Sequence, residues 1–133
     1  LLCKKYSEIT FYKSTNSIAE LMSKADISIG AGGSSSIERC YLGLPSLVIS
    51  LAKNQVETTK ALDSIGAICD LGWFQSVDEK KIITMIKKLM NSKSLLKSME
   101  IKAISIFDFN KNKNGSKYIA DLLFNKSFNH KEL

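Results

Sequence analysis

Short apolar runs alternate along the chain with segments whose apolar residues recur at helical spacing. The runs at 9–12, 27–29, 47–49 and 67–69 predict four short strands, and the third is apolar enough to be buried on both faces. Helical spacing predicts helices at about 18–24, 35–42, 55–65 and 80–90, then around 95–99 and 118–123. This alternation predicts an α/β fold: a parallel sheet covered by helices, joined by right-handed crossovers.

Several helix boundaries carry their own signals. The S-x-x-E segments Ser17–Glu20 and Ser35–Glu38 have the form of capping boxes, in which serine and glutamate satisfy each other's backbone donors. Gly43 stands where a left-handed C-terminal cap favours glycine, and Pro45 follows as a stop. Gly66 is expected to close the third helix in the same way.

The length of 133 residues indicates one domain. We place it at residues 1–124, with a polar tail at 125–133. The chain starts at Leu1 rather than Met, just before a strand and without the strand and phosphate-binding glycine turn that usually open such a unit. We therefore expect a piece of a longer protein whose N-terminal catalytic domain is absent.

Composition restricts the location and the partners. No apolar run approaches the roughly 18 residues that cross a bilayer, and no signal-peptide pattern is present. Cys3, Cys40 and Cys69 lack metal-ligand spacing, which indicates reduced thiols and, for Cys40 and Cys69, packing in the interior. We expect a cytoplasmic protein without membrane contact.

The net charge of +6 comes mostly from lysines in the second half of the chain. Most of these lysines lie on the outer faces of predicted amphipathic helices and are not interleaved with aromatic residues. This pattern favours solvated helix faces over a nucleic-acid surface. We predict no nucleic-acid partner.

The glycine-rich segment that follows the second predicted strand is the main candidate for a binding site. Gly30-Ala31-Gly32-Gly33 leads from that strand into a helix start at Ser34-Ser35. Glycines let backbone N–H groups approach a ligand, and a helix N-terminus adds unpaired donors and partial positive charge. Such a place suits a phosphate or diphosphate. The segment is neither a Walker A loop nor a G-x-G-x-x-G fingerprint, so a simple tight turn remains the alternative.

Two acidic residues have alternative interpretations at this stage. On spacing alone, Glu38 is favoured as the capping-box partner of Ser35, and a ligand role requires its carboxylate to turn away from the backbone. Glu57 is the nearest substitute for a general base, although a solvated helix face explains it better. The only histidine, His130, lies in the predicted tail, and no catalytic set converges on the glycines. We predict no catalytic residue, metal or cofactor in this chain.

At these residues the sequence resembles a known family. Residues 25–39, 43–49 and Asn54-Gln55 resemble the C-terminal domain of GT-B glycosyltransferase-like proteins. The pattern from Glu38 to Ile49 is similar to the UDP-2,4-diacetamido-2,4,6-trideoxy-β-L-altropyranose hydrolase family of pseudaminic acid biosynthesis and its spore-coat polysaccharide relatives. The resemblance implies a three-layer Rossmann-like domain, the C-terminal half of a GT-B fold.

The resemblance also implies ligand roles for particular residues. It implies a diphosphate held by Gly32, Gly33, Ser34 and Ser35, ribose hydroxyls held by Glu38, and uracil near the backbone of Ile18. That shifts the expectation for Glu38 from capping to ligand binding. Asn54 and Gln55 stand where the family contacts the sugar. Gly30 departs from many glycosyltransferases, which carry histidine there, so no side chain is expected to reach the phosphate from that position.

The implied activity belongs to the whole enzyme. Water would attack the anomeric carbon of a UDP-sugar, with the base on the missing N-terminal domain, and this chain would hold UDP as it departs. We expect the chain alone to be inactive. The alternatives are the donor domain of an inverting glycosyltransferase, in which an acceptor hydroxyl replaces water, and a binding module without turnover.

Overall fold

The computed structural model describes Cys3 and residues 5–107. In chain order the elements are α1 (Ile18–Ser23), β1 (Ser28–Ala31), α2 (Ser34–Tyr41), β2 (Ser46–Ser50), α3 (Lys53–Ser64), β3 (Cys69–Trp73), a 3-10 turn (Phe74–Ser76), α4 (Glu79–Met90) and α5 (Lys93–Ser105). The helix predicted at 118–123, the domain boundary at residue 124 and the tail lie outside the described residues. No helix of the described part is long and apolar enough to cross a membrane.

The three strands form one sheet in the order β1-β2-β3, and both pairings are parallel. Ile29 pairs with Leu47 on one side of β2, and Val48 pairs with Asp70 on the other. The central strand is buried at four of its five positions, as the apolar run at 47–49 predicts. The predicted parallel α/β fold is confirmed.

Helices cover both faces of the sheet. Neighbouring residues of β2 point to opposite sides and therefore pack against different helices. Val48 packs in a cluster with Cys40 of α2 and Leu62 of α3. Leu47 packs in a second cluster with Leu89 of α4 and Met99 of α5. These two clusters make the domain three-layered. Cys40 lies fully buried in the first, as predicted.

The turn after α2 sets the angle at which the chain enters β2. Gly43 adopts φ +66°, and its N–H donates to the Cys40 carbonyl at 2.9 Å. A Cβ at this position would lie 2.8 Å from Cδ1 of Ile104. Both the left-handed backbone and the close contact with α5 therefore require glycine, and the predicted cap is confirmed.

The strand predicted at 9–12 does not form. Ile9, Phe11 and Tyr12 are each about half exposed, and the segment has no regular secondary structure. A strand is stable when its backbone groups pair with a neighbour, and no strand of the described residues pairs with this segment. Apolar content alone was a misleading signal here.

The last predicted strand, at 67–69, is displaced toward the C-terminus, since β3 starts at Cys69. Ala67 and Ile68 are buried but precede the ladder. The sequence pattern did not predict a strand that continues through Asp70, because aspartate is rare in strands. In the structure, the backbone N–H groups of Asp70 and Gly72 donate to carboxylates, those of Asp63 and of Asp70 itself.

Neither predicted capping box forms. Ser17 is the N-cap of α1 but makes no side-chain cap bond, and Glu20 pairs with Lys24 at 2.6 Å instead. The second helix begins at Ser34 with Gly33 as its N-cap, so Ser35 lies inside the helix. The predicted N-cap of this helix, Ser35, lies two residues after the observed N-cap, Gly33.

A side-chain cap that the sequence analysis missed stabilises α4. The carboxylate of Asp78 accepts a hydrogen bond from the backbone N–H of Lys81 at 2.7 Å. We expect Asp78→Ala to lower the free energy of unfolding by about 1 kcal/mol, because the backbone N–H of Lys81 loses its acceptor. Urea denaturation followed by circular dichroism measures this. Asp78→Asn should keep most of the stability, and the exposed Lys80→Ala should change it little. Equal stability of the two alanine variants would contradict the capping role.

Candidate functional site

The glycine loop lies where the predicted fold places a ligand. Gly32 and Gly33 follow the carboxyl end of β1 directly and lead into α2. Because the strands are parallel, the segment after β2, Leu51–Gln55, reaches the same edge of the sheet. Ligands of open α/β sheets bind outside the carboxyl ends of the strands. The predicted position at the carboxyl end of a strand is therefore confirmed, but the strand predicted at 27–29 extends to Ala31, so Gly30 and Ala31 belong to β1 and not to the turn.

The start of α2 presents unpaired backbone donors. Its N-cap is Gly33, which has no side chain to cap the helix and adopts φ +97° and ψ −157°. Ser36 donates its N–H to the Gly33 carbonyl at 3.0 Å. Within the described residues, the N–H groups of Gly33, Ser34 and Ser35 have no partner, because the carbonyls four residues earlier belong to β1. These donors and the helix dipole make the loop suitable for an anion.

Arg39, which the sequence analysis did not single out as a site residue, packs against the end of β1 that precedes the loop. Arg39 is 4% exposed, and its Nη2 donates to the Ala31 carbonyl at 2.7 Å and to Ser36 Oγ at 3.1 Å. A Cβ on Gly30 would lie 2.7 Å from Nη1 of Arg39. Gly30 is therefore explained by the close approach of the guanidinium. Burial lowers the pKa of Arg39, an effect partly opposed by Cys40 and Glu38.

The start of α3 closes the other side of the loop. Gln55 Oε1 accepts a hydrogen bond from the Leu51 N–H at 2.9 Å, which fixes the side chain. Its Nε2 then lies on the loop side, 3.7 Å from where a Cβ on Gly33 would be. Gln55 therefore offers an amide donor next to the predicted diphosphate position. Asn54, its predicted partner in sugar binding, is exposed at the start of α3.

Two buried polar atoms of the described chain lack a hydrogen-bond partner, and both flank this loop. One is Thr59 Oγ1, which would lie 2.8 Å from a Cβ on Gly32. The other is Nε of Arg39, whose guanidinium packs against Gly30. Unsatisfied buried polar groups are uncommon in folded proteins and call for a specific explanation. Both belong to side chains that pack against glycines of the 30–33 segment, which distinguishes this segment from an ordinary tight turn.

The remaining predicted ligand residues differ in their surroundings. Glu38 is exposed, one helical turn beyond Ser34 and Ser35, and its carboxylate makes no hydrogen bond or ion pair within the described chain. The capping role considered for it is wrong, because α2 begins earlier than the box required. Ile18 is the first residue of α1 and is 50% exposed. Its contact with a base stays a prediction.

The described residues offer little chemistry for bond cleavage. His130 lies outside them, and Glu57 is an exposed residue of α3. Burial raises the pKa of the Cys40 and Cys69 thiols, which makes both poor nucleophiles. Within the described chain, no group of three His, Cys, Asp or Glu side chains could hold a metal ion.

A second concave surface lies at the opposite edge of the sheet. Asp26 and Pro45, which precede β1 and β2, line it together with Lys93, Lys97 and Glu100 of α5. Lys97 and Glu100 already pair with each other at 2.9 Å. This groove lies at the amino ends of the strands, whereas ligands of open α/β sheets bind outside the carboxyl ends. The glycine loop is therefore the stronger candidate for the functional site.

Comparison with known proteins agrees with this geometry. The model of the family described as "Glycosyltransferase family 28 C-terminal domain" matches residues 2–123. The spore coat polysaccharide biosynthesis protein SpsG of Bacillus subtilis (strain 168) is 34% identical over 96 residues, which cover 72% of this chain and 28% of that protein. The chain thus spans less than a third of the length of this curated relative. No solved structure matches the chain.

Proposed function

The chain belongs to the family of glycosyltransferase family 28 C-terminal domains, and we propose that it holds the UDP part of a UDP-sugar. The observation that carries the proposal is the loop after β1. There the N–H groups of Gly33, Ser34 and Ser35 are unpaired within the described chain, and the two buried polar atoms without a partner belong to Thr59 and Arg39, which pack against Gly32 and Gly30. Unpaired backbone donors at a helix N-terminus favour an anion such as a diphosphate.

The position of Glu38 supports a proposal for the nucleoside. Its exposed carboxylate lies on the same helix as the loop, one turn further on, and no capping bond holds it. A carboxylate accepts two hydroxyl donors, as a ribose diol presents. We propose that Glu38 binds the ribose, that Ile18 lies near the uracil, and that Asn54 and Gln55 face the sugar and its phosphate.

For the whole protein we propose a hydrolase of the pseudaminic acid type. Water attacks the anomeric carbon of a UDP-linked diacetamido-trideoxy sugar, the bond from that carbon to the diphosphate oxygen breaks, and UDP leaves. The proton of the attacking water passes to a base on the N-terminal domain. The loop stabilises the negative charge that develops on the departing diphosphate.

A transferase is the second candidate, since the family is named for glycosyltransferases. There an acceptor hydroxyl takes the place of water. The full-length protein separates the two. A hydrolase releases UDP from the UDP-sugar without any acceptor, whereas a transferase releases it only when an acceptor is added.

Calorimetric titration of the chain with UDP, UMP and uridine tests the binding proposal. Affinity should rise in the order uridine, UMP, UDP, because each phosphate adds contacts with unpaired backbone donors. A single charge-assisted hydrogen bond contributes about 1.5–3 kcal/mol, so the step from uridine to UDP should exceed tenfold. Equal affinities for uridine and UDP would refute the diphosphate site.

A further inference from the structure

Arg39 forms no ion pair within the described chain; burial lowers its pKa, and the charges of Cys40 and Glu38 offset this only in part. Its Nη2 bonds to two neutral acceptors, the Ala31 carbonyl and Ser36 Oγ. The ion pairs within the described residues join Lys24 to Glu20 and Lys97 to Glu100, away from this site. Arg39 is nonetheless 4% exposed, and its Nε has no partner.

Such an arrangement is costly in the ligand-free domain. Burial of a charge is destabilising unless an anion or a dense set of hydrogen bonds compensates it, and the exposed Glu38 carboxylate compensates the charge of Arg39 only in part. Here two hydrogen bonds hold the guanidinium in place without neutralising it. The anion that would do so has one place to bind nearby, the start of α2, whose dipole also favours negative charge.

The contacts of Arg39 connect it to that place. Ala31 is the last residue of β1, and Ser36 lies in the first turn of α2, so both acceptors flank the glycine loop. Ser36 Oγ is itself 3.3 Å from the Ala31 carbonyl. The guanidinium thus connects the last residue of β1 to the first turn of α2. Its positive charge is therefore held next to the glycine loop.

We propose that Arg39 is a positioning residue that makes the loop selective for ligand charge, a role that rests on the proposed binding of a diphosphate there. It does not touch the ligand. It holds the loop through Ala31 and Ser36, and its charge favours a ligand with two phosphates over a neutral nucleoside. Lysine would retain the charge but not the planar arrangement of N–H donors that the guanidinium has.

The test compares Arg39→Met, which removes the charge, with Arg39→Lys, which retains it. Lys80→Met removes the same charge from an exposed position on α4 and serves as the control. Each variant is titrated with inorganic pyrophosphate, UDP and uridine at two salt concentrations. We expect Arg39→Met to bind pyrophosphate and UDP about tenfold more weakly, the effect of one charge at a partly buried site. Uridine binding should change about twofold or less, and Arg39→Lys should recover most of the loss.

Salt dependence separates charge from structure. The affinity of the parent chain for pyrophosphate should fall more steeply with salt than that of Arg39→Met, because one attractive charge is missing in the variant. Unchanged pyrophosphate affinity in Arg39→Met would overturn the proposal. So would equal losses in the methionine and lysine variants, since a purely structural role depends on the guanidinium hydrogen bonds.

Folding and ligand identity are controlled separately. Circular dichroism melts verify each variant. If Arg39→Met unfolds, Arg39→Gln takes its place, because it keeps an N–H donor without the charge. A parent chain that binds pyrophosphate in an Arg39-dependent way, but UDP no better, would refute the nucleotide assignment alone. A parent chain that binds UDP strongly, with no effect of Arg39 variants, would refute the role of Arg39 alone.

Discussion

Glu38→Gln should weaken UDP binding by about 1.5–3 kcal/mol, the contribution of hydrogen bonds to a charged group. The carboxylate is exposed on α2 and makes no hydrogen bond within the described chain. Since Gly33 is the N-cap, the substitution removes no capping bond, and the free energy of unfolding should change by less than about 0.5 kcal/mol. Calorimetry and urea denaturation measure the two quantities on the same samples.

A modified ligand makes this prediction sharper. The parent chain should bind 2′-deoxy-UDP more weakly than UDP, because one hydroxyl donor to Glu38 is missing. The glutamine variant should discriminate less between the two ligands. Glu79 is an exposed residue of α4, away from the glycine loop. Glu79→Gln is the matched control and should bind both ligands as the parent does. If the glutamine variant at position 38 discriminates as well as the parent, the ribose contact is wrong.

Gly33→Ala should lower the free energy of unfolding by about 1–3 kcal/mol, the cost of a non-glycine residue in this backbone region. The position has φ +97° and ψ −157°, which an L side chain rarely adopts. Space is not the obstacle, because the nearest atom to an added Cβ is Gln55 Nε2 at 3.7 Å. Relief of the strain would rotate the peptide and redirect the unpaired N–H groups, so UDP affinity should fall at least tenfold.

Ser35→Ala is the control for this variant. The hydroxyl of Ser35 lies inside α2 and caps nothing, so its loss should change stability by about 0.5 kcal/mol or less. A Gly33→Ala chain that unfolds at the same urea concentration as the Ser35→Ala chain would show that the loop relaxes without cost. Urea denaturation followed by circular dichroism provides both midpoints.

The layered fold could be predicted because each buried strand and amphipathic helix is a local signal. The strand β2 and the helices α3, α4 and α5 follow from apolar spacing, with Gly43 and Gly66 at the helix ends. The segment 9–12 shows where this reasoning fails, since apolar content does not provide a pairing partner. Asp70 shows the opposite error: the predicted strand stopped before this polar residue, whereas the observed strand includes it.

The candidate site could be predicted only in part. The glycines marked the loop, but three consecutive serines, Ser34 to Ser36, left the first residue of α2 ambiguous. That ambiguity produced the wrong capping role for Glu38. Arg39 and Thr59 could not be found from the sequence, because both act through packing against glycines that are distant along the chain.

The two outer edges of the described sheet differ in their capacity to accept another strand. On β3, the carboxylates of Asp63 and Asp70 already occupy two backbone N–H groups. On β1, Ser28 and Gly32 donate toward β2, so Ile29 directs its N–H and carbonyl outward. Ile29 is 47% exposed, and only the Ala31 carbonyl beside it is occupied, by Arg39. Growth of the sheet, whether by a native strand or by edge-to-edge aggregation at high concentration, is therefore directed to the β1 side.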